Sequence, residues 1–173
     1  MLPTGVNVLD VGCGSGDVAR ALLELRPDLK IEGVDVLVRP NTAIPVQEFD
    51  GEQLPFGDNS FDYALLIDVL HHTDIPGALL SEVSRVAQHV IIKDHYRNGV
   101  LARARLRFMD WVGNAPHGVR LPYNYLSKAE WVTIWHQGRY SIENQIEDLS
   151  LYPVPADWIF GRGLHFIASV AKL

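Results

Sequence analysis

The stretch Val6-Asn7-Val8-Leu9-Asp10-Val11 runs directly into Gly12-Cys13-Gly14-Ser15-Gly16, and this junction constrains the fold more than any other part of the chain. Its apolar residues suit a central strand, and Asp17 to Arg26, with Val18, Ala19, Ala21, Leu22, Leu23 and Leu25, suits a helix packed against it. Three alternating glycines between the two let the backbone turn sharply and let a ligand approach within contact distance. The free N–H groups at the helix start favour an anionic group. Asp10 modifies that reading. A carboxylate at the strand end repels a pyrophosphate, yet it suits a ligand that carries an ammonium, a sulfonium or hydroxyls beside its own carboxylate. A dinucleotide site needs Gly-x-Gly-x-x-Gly, and Asp17 stands where the third glycine belongs, which argues against a nicotinamide dehydrogenase.

Leu9-Asp10-Val11-Gly12-Cys13-Gly14-Ser15-Gly16 resembles the first motif of the class I S-adenosylmethionine-dependent methyltransferases. Three later segments are similar to that family in the same order. Ile31-Glu32-Gly33-Val34-Asp35 resembles its second motif. Phe49 to Phe56, followed by Asn59-Ser60-Phe61-Asp62-Tyr63, resembles the run from its third strand into its fourth. Glu82-Val83-Ser84-Arg85-Val86 resembles the helix before its fifth. The resemblance covers the first half of the chain well and the second half poorly. The Arg85 to Val90 turn lacks the Pro-Gly-Gly often found there in the family, which shortens that connection.

A chain of 173 residues, 47% hydrophobic and 21% charged, suits one domain spanning residues 1–173. A net charge of -6 without a basic run disfavours nonspecific binding to nucleic acid or anionic membranes. Cys13 is the single cysteine, so no internal disulfide forms, and neither a signal peptide pattern nor a membrane-spanning apolar run is evident. A cytoplasmic location is therefore expected. Strands are read at Val6 to Val11, Lys30 to Asp35, Pro45 to Phe49, Asp62 to Ile67, His89 to Asp94, Tyr140 to Glu147 and Leu164 to Ala171. Helices are read at Asp17 to Arg26, at Ile75 to Ala87 with Thr73 or Asp74 as N-cap, at Val100 to Trp111, and from the Ser127 cap to about His136. This alternation predicts an α/β, Rossmann-like, doubly wound and mostly parallel sheet, and the resemblance implies seven strands with the last one antiparallel. A lid-like insertion is expected at about residues 95–126, which are rich in Arg, Trp, Tyr, Gly and Pro. The N-terminal helices that commonly cover the cofactor in the family have no counterpart before Val6, so either that insertion does the covering or the site is unusually open.

By the same resemblance, Gly12, Cys13, Gly14 and Gly16 form the loop against which the methionine part of S-adenosylmethionine lies, with S-adenosylhomocysteine as product. Asp10 helps hold its ammonium, directly or through water. Asp35 has an independent physical case, because an acid ending the second strand about 20 residues after the loop can accept from both ribose hydroxyls. Asp50 accepts from the adenine amino group, Gly51 gives access, Val36 forms an apolar wall, and Ile67 and Asp68 meet the methionine end through their carbonyls. Cys13 has no adjacent histidine to activate it and is read as a small loop residue.

Methyl transfer is an in-line displacement that depends mainly on positioning, so a dedicated base is optional. Where the acceptor loses a proton, His72 and His95 are the candidate catalytic residues, in the pairs His71-His72 and Asp94-His95 that follow the fourth and fifth strands. A metal site through Asp68, His72, Asp94 and His95 lacks any short-spaced ligand motif, and no metal is expected. Tyr123, Tyr125, Trp158 and Arg162, in a region that also holds Trp111, Asn114, His117, Asn124, Tyr152 and Phe160, are candidates for enclosing a small-molecule acceptor. Arg103, Arg105 and Arg107 scatter around their helix and suit a solvated face. The alternative function is a non-catalytic S-adenosylmethionine-binding partner subunit or sensor.

Overall fold

The computed structural model describes residues 1–114, 122–147, 149–154, 156–161 and 163–173. Strand β1 (Asn7–Val11) is buried at every position after Asn7 because it has a parallel neighbour on each side, β2 (Lys30–Asp35) and β4 (Phe61–Ile67). Strand β3 (Val46–Glu48) extends the sheet beyond β2, and β5 (Ala87–His95) pairs with β4, again in parallel. Strand β7 (His165–Lys172) enters antiparallel between β5 and β6 (Tyr140–Ile146). The sheet order is therefore β3-β2-β1-β4-β5-β7-β6, with the seven strands and the antiparallel last strand that the resemblance implied.

Alternation of apolar residues along these strands creates a core on each face. Helix α1 (Asp17–Leu25) lays Ala19, Leu22 and Leu23 against Val8, Ile31, Leu65 and Ile91. On the other face α2 (Pro76–Val86) and α4 (Lys128–Gln137) bring Leu80, Val83, Trp131 and Trp135 onto Leu9, Leu66, Ile92 and Phe166. Each fully buried Val, Leu, Ile or Phe among them contributes about 1.5–3 kcal/mol. The indole N–H of Trp131 donates to the carbonyl of His95 at 3.1 Å, which fixes α4 to the end of β5 and satisfies the ring's polar atom.

Helix ends show where local rules held and where they were overridden. The Ser127 cap is a full capping box, with Glu130 reaching back to the Ser127 N–H at 2.7 Å. Neither Thr73 nor Asp74 caps α2: Ile75 takes that place without a side-chain bond, and the Thr73 hydroxyl donates instead to the Leu70 carbonyl at 2.9 Å. Val86 ends α2 and Ala87 begins β5, so the connection is as short as the sequence suggested. Helix α3 (Ala102–Asn114) starts after Leu101, whose φ of 57° is incompatible with the earlier start read at Val100. It packs through Ala102 and Leu106 on Tyr125 and Leu164. Helix α5 (Ala156–Phe160) lies between β6 and β7. Among the described residues no helix is long and apolar enough to cross a membrane.

Candidate active site

The glycine loop leaves β1 at the carboxyl edge of the parallel strands, where ligands bind in open α/β sheets. Gly12 and Gly16 have φ of 72° and 78°, and a Cβ at either would stand 2.7 Å from Val69 Cγ2 or Ile44 Cγ1 respectively. Both the backbone conformation and the space therefore require glycine. Asp35 ties this loop to β2: one carboxylate oxygen accepts from the Gly14 N–H at 2.7 Å and the other from the Leu37 N–H at 3.0 Å. Each oxygen retains a lone pair for a ligand hydroxyl.

Beneath the loop, Asp10 is 2% exposed and its Oδ2 has no hydrogen-bond partner among the described residues. Burial, assisted by the charge of Asp35, pushes its pKa up to about 7. Cys13 packs its sulfur over Gly33, 2.5 Å from where a Cβ would stand, and burial pushes the thiol up to about 12. It remains a thiol and acts as packing. Asp50 is exposed, and one of its oxygens accepts from the N–H groups of Glu52 and Gln53 at 2.8 and 2.7 Å, closing a local turn.

A cavity of about 570 Å³ opens from the loop. Gly12, Gly14, Asp35, Val36, Leu37, Arg39, Phe49 and Gly51 line it on the side of β1 and β2, and Ile67 and Asp68 lie at the end of β4. His71, His72, Lys93, His95, Met109, Asp110, Tyr152 and His165 line the remainder. Its volume suits a nucleoside-sized ligand with a second small molecule beside it.

The second region is a buried charged network. His71 Nδ1 lies 2.8 Å from Asp94 Oδ1, the same oxygen that accepts from the His95 N–H at 2.7 Å and lies 3.2 Å from His95 Nδ1. On the other side of the ring, His71 Nε2 is 3.4 Å from Asp110 Oδ1 without hydrogen-bond alignment, and Asp110 Oδ2 accepts from the Tyr125 hydroxyl. Burial opposes a charge on His71, but Asp94 and Asp110 outweigh it and bring its pKa up to about 10. Burial alone would also raise Asp94, and the charges of His71 and His95 instead hold it well below the usual carboxylate range. Burial, and then the charge on His71, push His72 down to about 4. Lys93 donates to both oxygens of Asp68 at 2.7 and 2.6 Å, and Asp68 itself sits at a φ of 57°.

The structure thus brings Gly12, Gly14, Asp35, Val36, Gly51, Ile67, Asp68, His72 and His95 to one cavity. Asp10, Cys13 and Gly16 support the loop from behind, and Asp50 faces solvent. Tyr125 is buried and committed to Asp110, Tyr123 carries the Arg107 guanidinium 4.7 Å above its ring, and Trp158 is 59% exposed; none of the three lines the cavity. Arg162 and His117 lie outside the described residues. Asp110 and His165 were missed. The available signal for Asp110 was an acid one turn beyond the buried Leu106, on the inner face of α3.

Comparison with known proteins agrees with this geometry. Residues 9–89 match the family described as Methyltransferase domain. The chain is 27% identical over 150 residues to the ubiquinone/menaquinone biosynthesis C-methyltransferase of Cupriavidus metallidurans, covering 72% of this chain and 60% of that protein. It is 30% identical over 94 residues to the tRNA (carboxymethyluridine(34)-5-O)-methyltransferase of Schizosaccharomyces pombe, covering 52% of this chain and 40% of that protein. The chain thus spans at most about three fifths of the length of these curated relatives. A crystal structure of a SAM-dependent methyltransferase from Methanosarcina mazei shares the fold with a TM-score of 0.68 at 17% identity, over 99% of this chain and 94% of that one. The domain match over residues 9–89 and the sheet order make the chain similar to the class I S-adenosylmethionine-dependent methyltransferases, whose fold it shares.

Proposed function

We propose that the chain transfers a methyl group from S-adenosylmethionine to a small-molecule acceptor. The observation that carries this reading is a cavity with Gly12, Gly14 and Asp35 at one end and histidines at the other, with the unpartnered oxygen of Asp10 buried behind the glycine loop. These residues fit the cofactor. Asp10 would hold its ammonium, directly or through water, the loop N–H groups its carboxylate, and Asp35 its ribose hydroxyls, with Val36, Phe49 and Gly51 against the adenine. When bound, the cofactor supplies an electrophilic methyl group on sulfur.

The chain's own residues position the acceptor, exclude water and handle the proton. Asp94 holds His95 by Nδ1, which leaves Nε2 as the ring nitrogen that takes a proton from an acceptor O–H, N–H or C–H. His72 stays neutral beside the same group and lines the cavity next to it. A lid within one domain is supported by α3, which contributes Met109 and Asp110 to the cavity wall. The quinone-biosynthesis relative supports a small acceptor, and the tRNA relative names the rival. The net charge of -6 disfavours tRNA.

Calorimetry with S-adenosylmethionine tests the cofactor, and turnover across a panel of phenols, amines and carbon acids tests the reaction. His95→Gln should lower kcat and leave the cofactor Kd unchanged. Tight cofactor binding with no turnover on any acceptor would favour a partner subunit or sensor. Absence of binding by folded protein would remove both readings.

A further inference from the structure

His71, His72 and Asp110 form a constellation that donor binding does not use. Each offers one ligand atom, and those atoms lie within 4.8 Å of one another. We propose that these three residues bind a divalent first-row transition ion, of which zinc is the representative.

Three observations support the site. Two imidazoles with one carboxylate is a donor set that suits zinc, iron, cobalt or manganese and leaves coordination positions open. His72 Nδ1 is enclosed with no hydrogen-bond partner among the described residues, and His71 Nε2, in a ring only 2% exposed, has Asp110 Oδ1 at 3.4 Å without hydrogen-bond alignment, so an ion between them would take the place of the proton that Asp94 and Asp110 favour on His71. Leaving a buried polar atom unsatisfied is costly, and an ion removes that cost. Finally, the ligands are held from behind: Asp94 Oδ1 lies 2.8 Å from His71 Nδ1, and the Tyr125 hydroxyl donates to the outer oxygen of Asp110. Such contacts fix the tautomer and aim of a metal-binding imidazole and the orientation of a metal-binding carboxylate.

A neighbouring group, Asp68, His71, Asp94 and His95, meets the same distance limit. The Lys93 ammonium already spans both Asp68 oxygens, and His95 donates its backbone N–H to Asp94 Oδ1, so that group is served by protons. The proposed His71-His72-Asp110 site departs from the expectation of no metal drawn from the sequence, which weighed Asp68, His72, Asp94 and His95 and did not include the acid carried in by α3. All three residues line the cavity, so open positions of the ion face the acceptor. An ion there would lower the pKa of an acceptor hydroxyl. That use rests on the methyl-transfer reading; ion binding itself does not.

The test is titration of chelator-stripped protein with Co²⁺, read by its visible d–d absorption, followed by displacement with Zn²⁺. The expected result is one saturable equivalent. Asp110→Asn, which keeps the side-chain shape, should weaken Co²⁺ binding at least about 10-fold, and Tyr125→Phe by about 10–100-fold. His136→Gln, on the exposed side of α4, should not change it. Thermal melting and S-adenosylmethionine calorimetry on the same variants report folding and donor binding separately. Equal Co²⁺ affinity in wild type and Asp110→Asn, or no Co²⁺ spectrum in protein that binds S-adenosylmethionine, would overturn the metal site and leave the donor site standing. Co²⁺ binding without S-adenosylmethionine binding would support the metal site and overturn the methyl-transfer reading.

Discussion

Replacing Asp10 by Asn should make the protein more stable and worse at binding its cofactor. Asp10 is 2% exposed with one oxygen unpartnered, and burial raises its pKa from the ordinary 3.8 to about 7. Between those values the unfolded chain releases the proton that the folded chain retains, so stability falls as pH rises through that window and levels off above about 7. The displacement corresponds to about 4 kcal/mol. Asn carries no charge at any pH. Asp10→Asn should therefore leave stability nearly unchanged near pH 4 and raise it by up to about 4 kcal/mol near pH 8, read from urea unfolding midpoints at both values. Cofactor binding should respond in the opposite sense. An ammonium beside Asp10 favours the ionised form, so wild-type affinity for S-adenosylmethionine should weaken as pH falls below about 7, while Asp10→Asn should lose about 1.5–3 kcal/mol of binding above it. A variant whose stability gain is the same at both pH values would refute the assignment of the raised pKa to this residue.

Three further outcomes follow from the geometry. Asp35→Ala removes the acceptor that holds the Gly14 N–H and would hold the ribose, and calorimetry should show S-adenosylmethionine binding weakened by about 1.5–3 kcal/mol per lost charged hydrogen bond. Gly33→Ala would place a methyl group 2.5 Å from Cys13 Sγ, a clash expected to cost about 1–3 kcal/mol. Cys13→Ala should recover most of that cost in the double variant, and simple additivity in urea unfolding would count against the contact. Asp94→Asn removes the charge between His71 and His95 and should lower kcat by about 100-fold or more with the cofactor Kd unchanged, as stopped turnover assays and calorimetry would report.

The cofactor side of the site was legible in the sequence because its determinants are local. The glycines, Asp10 and Asp35 act through a turn and two strand ends, and motif spacing encodes all three. The seven strands and the antiparallel last strand followed from the resemblance together with strand-helix alternation. The acceptor side was only partly legible. His72 and His95 stand at strand ends and could be named, but Asp110 reaches His71 only after α3 has packed on Tyr125 and Leu164, a contact that no spacing records. Tyr125 looked like an acceptor-facing aromatic and proves to be the hydrogen-bond donor to Asp110. The α2 cap failed for a similar reason, since Thr73 was drawn into the turn before it.

The placement of β7 between β5 and β6 has a consequence for how the chain is assembled during synthesis. Strand β6 precedes β7 in the sequence, yet its ladder partner is β7, so β6 must wait for residues that leave the ribosome after it. Until then the growing sheet ends at β5, whose open edge carries Lys93, Asp94 and His95. The polar groups at that end of β5 thus lack the neighbours that β7 supplies until its residues have been made and the antiparallel pair of β6 and β7 closes that edge.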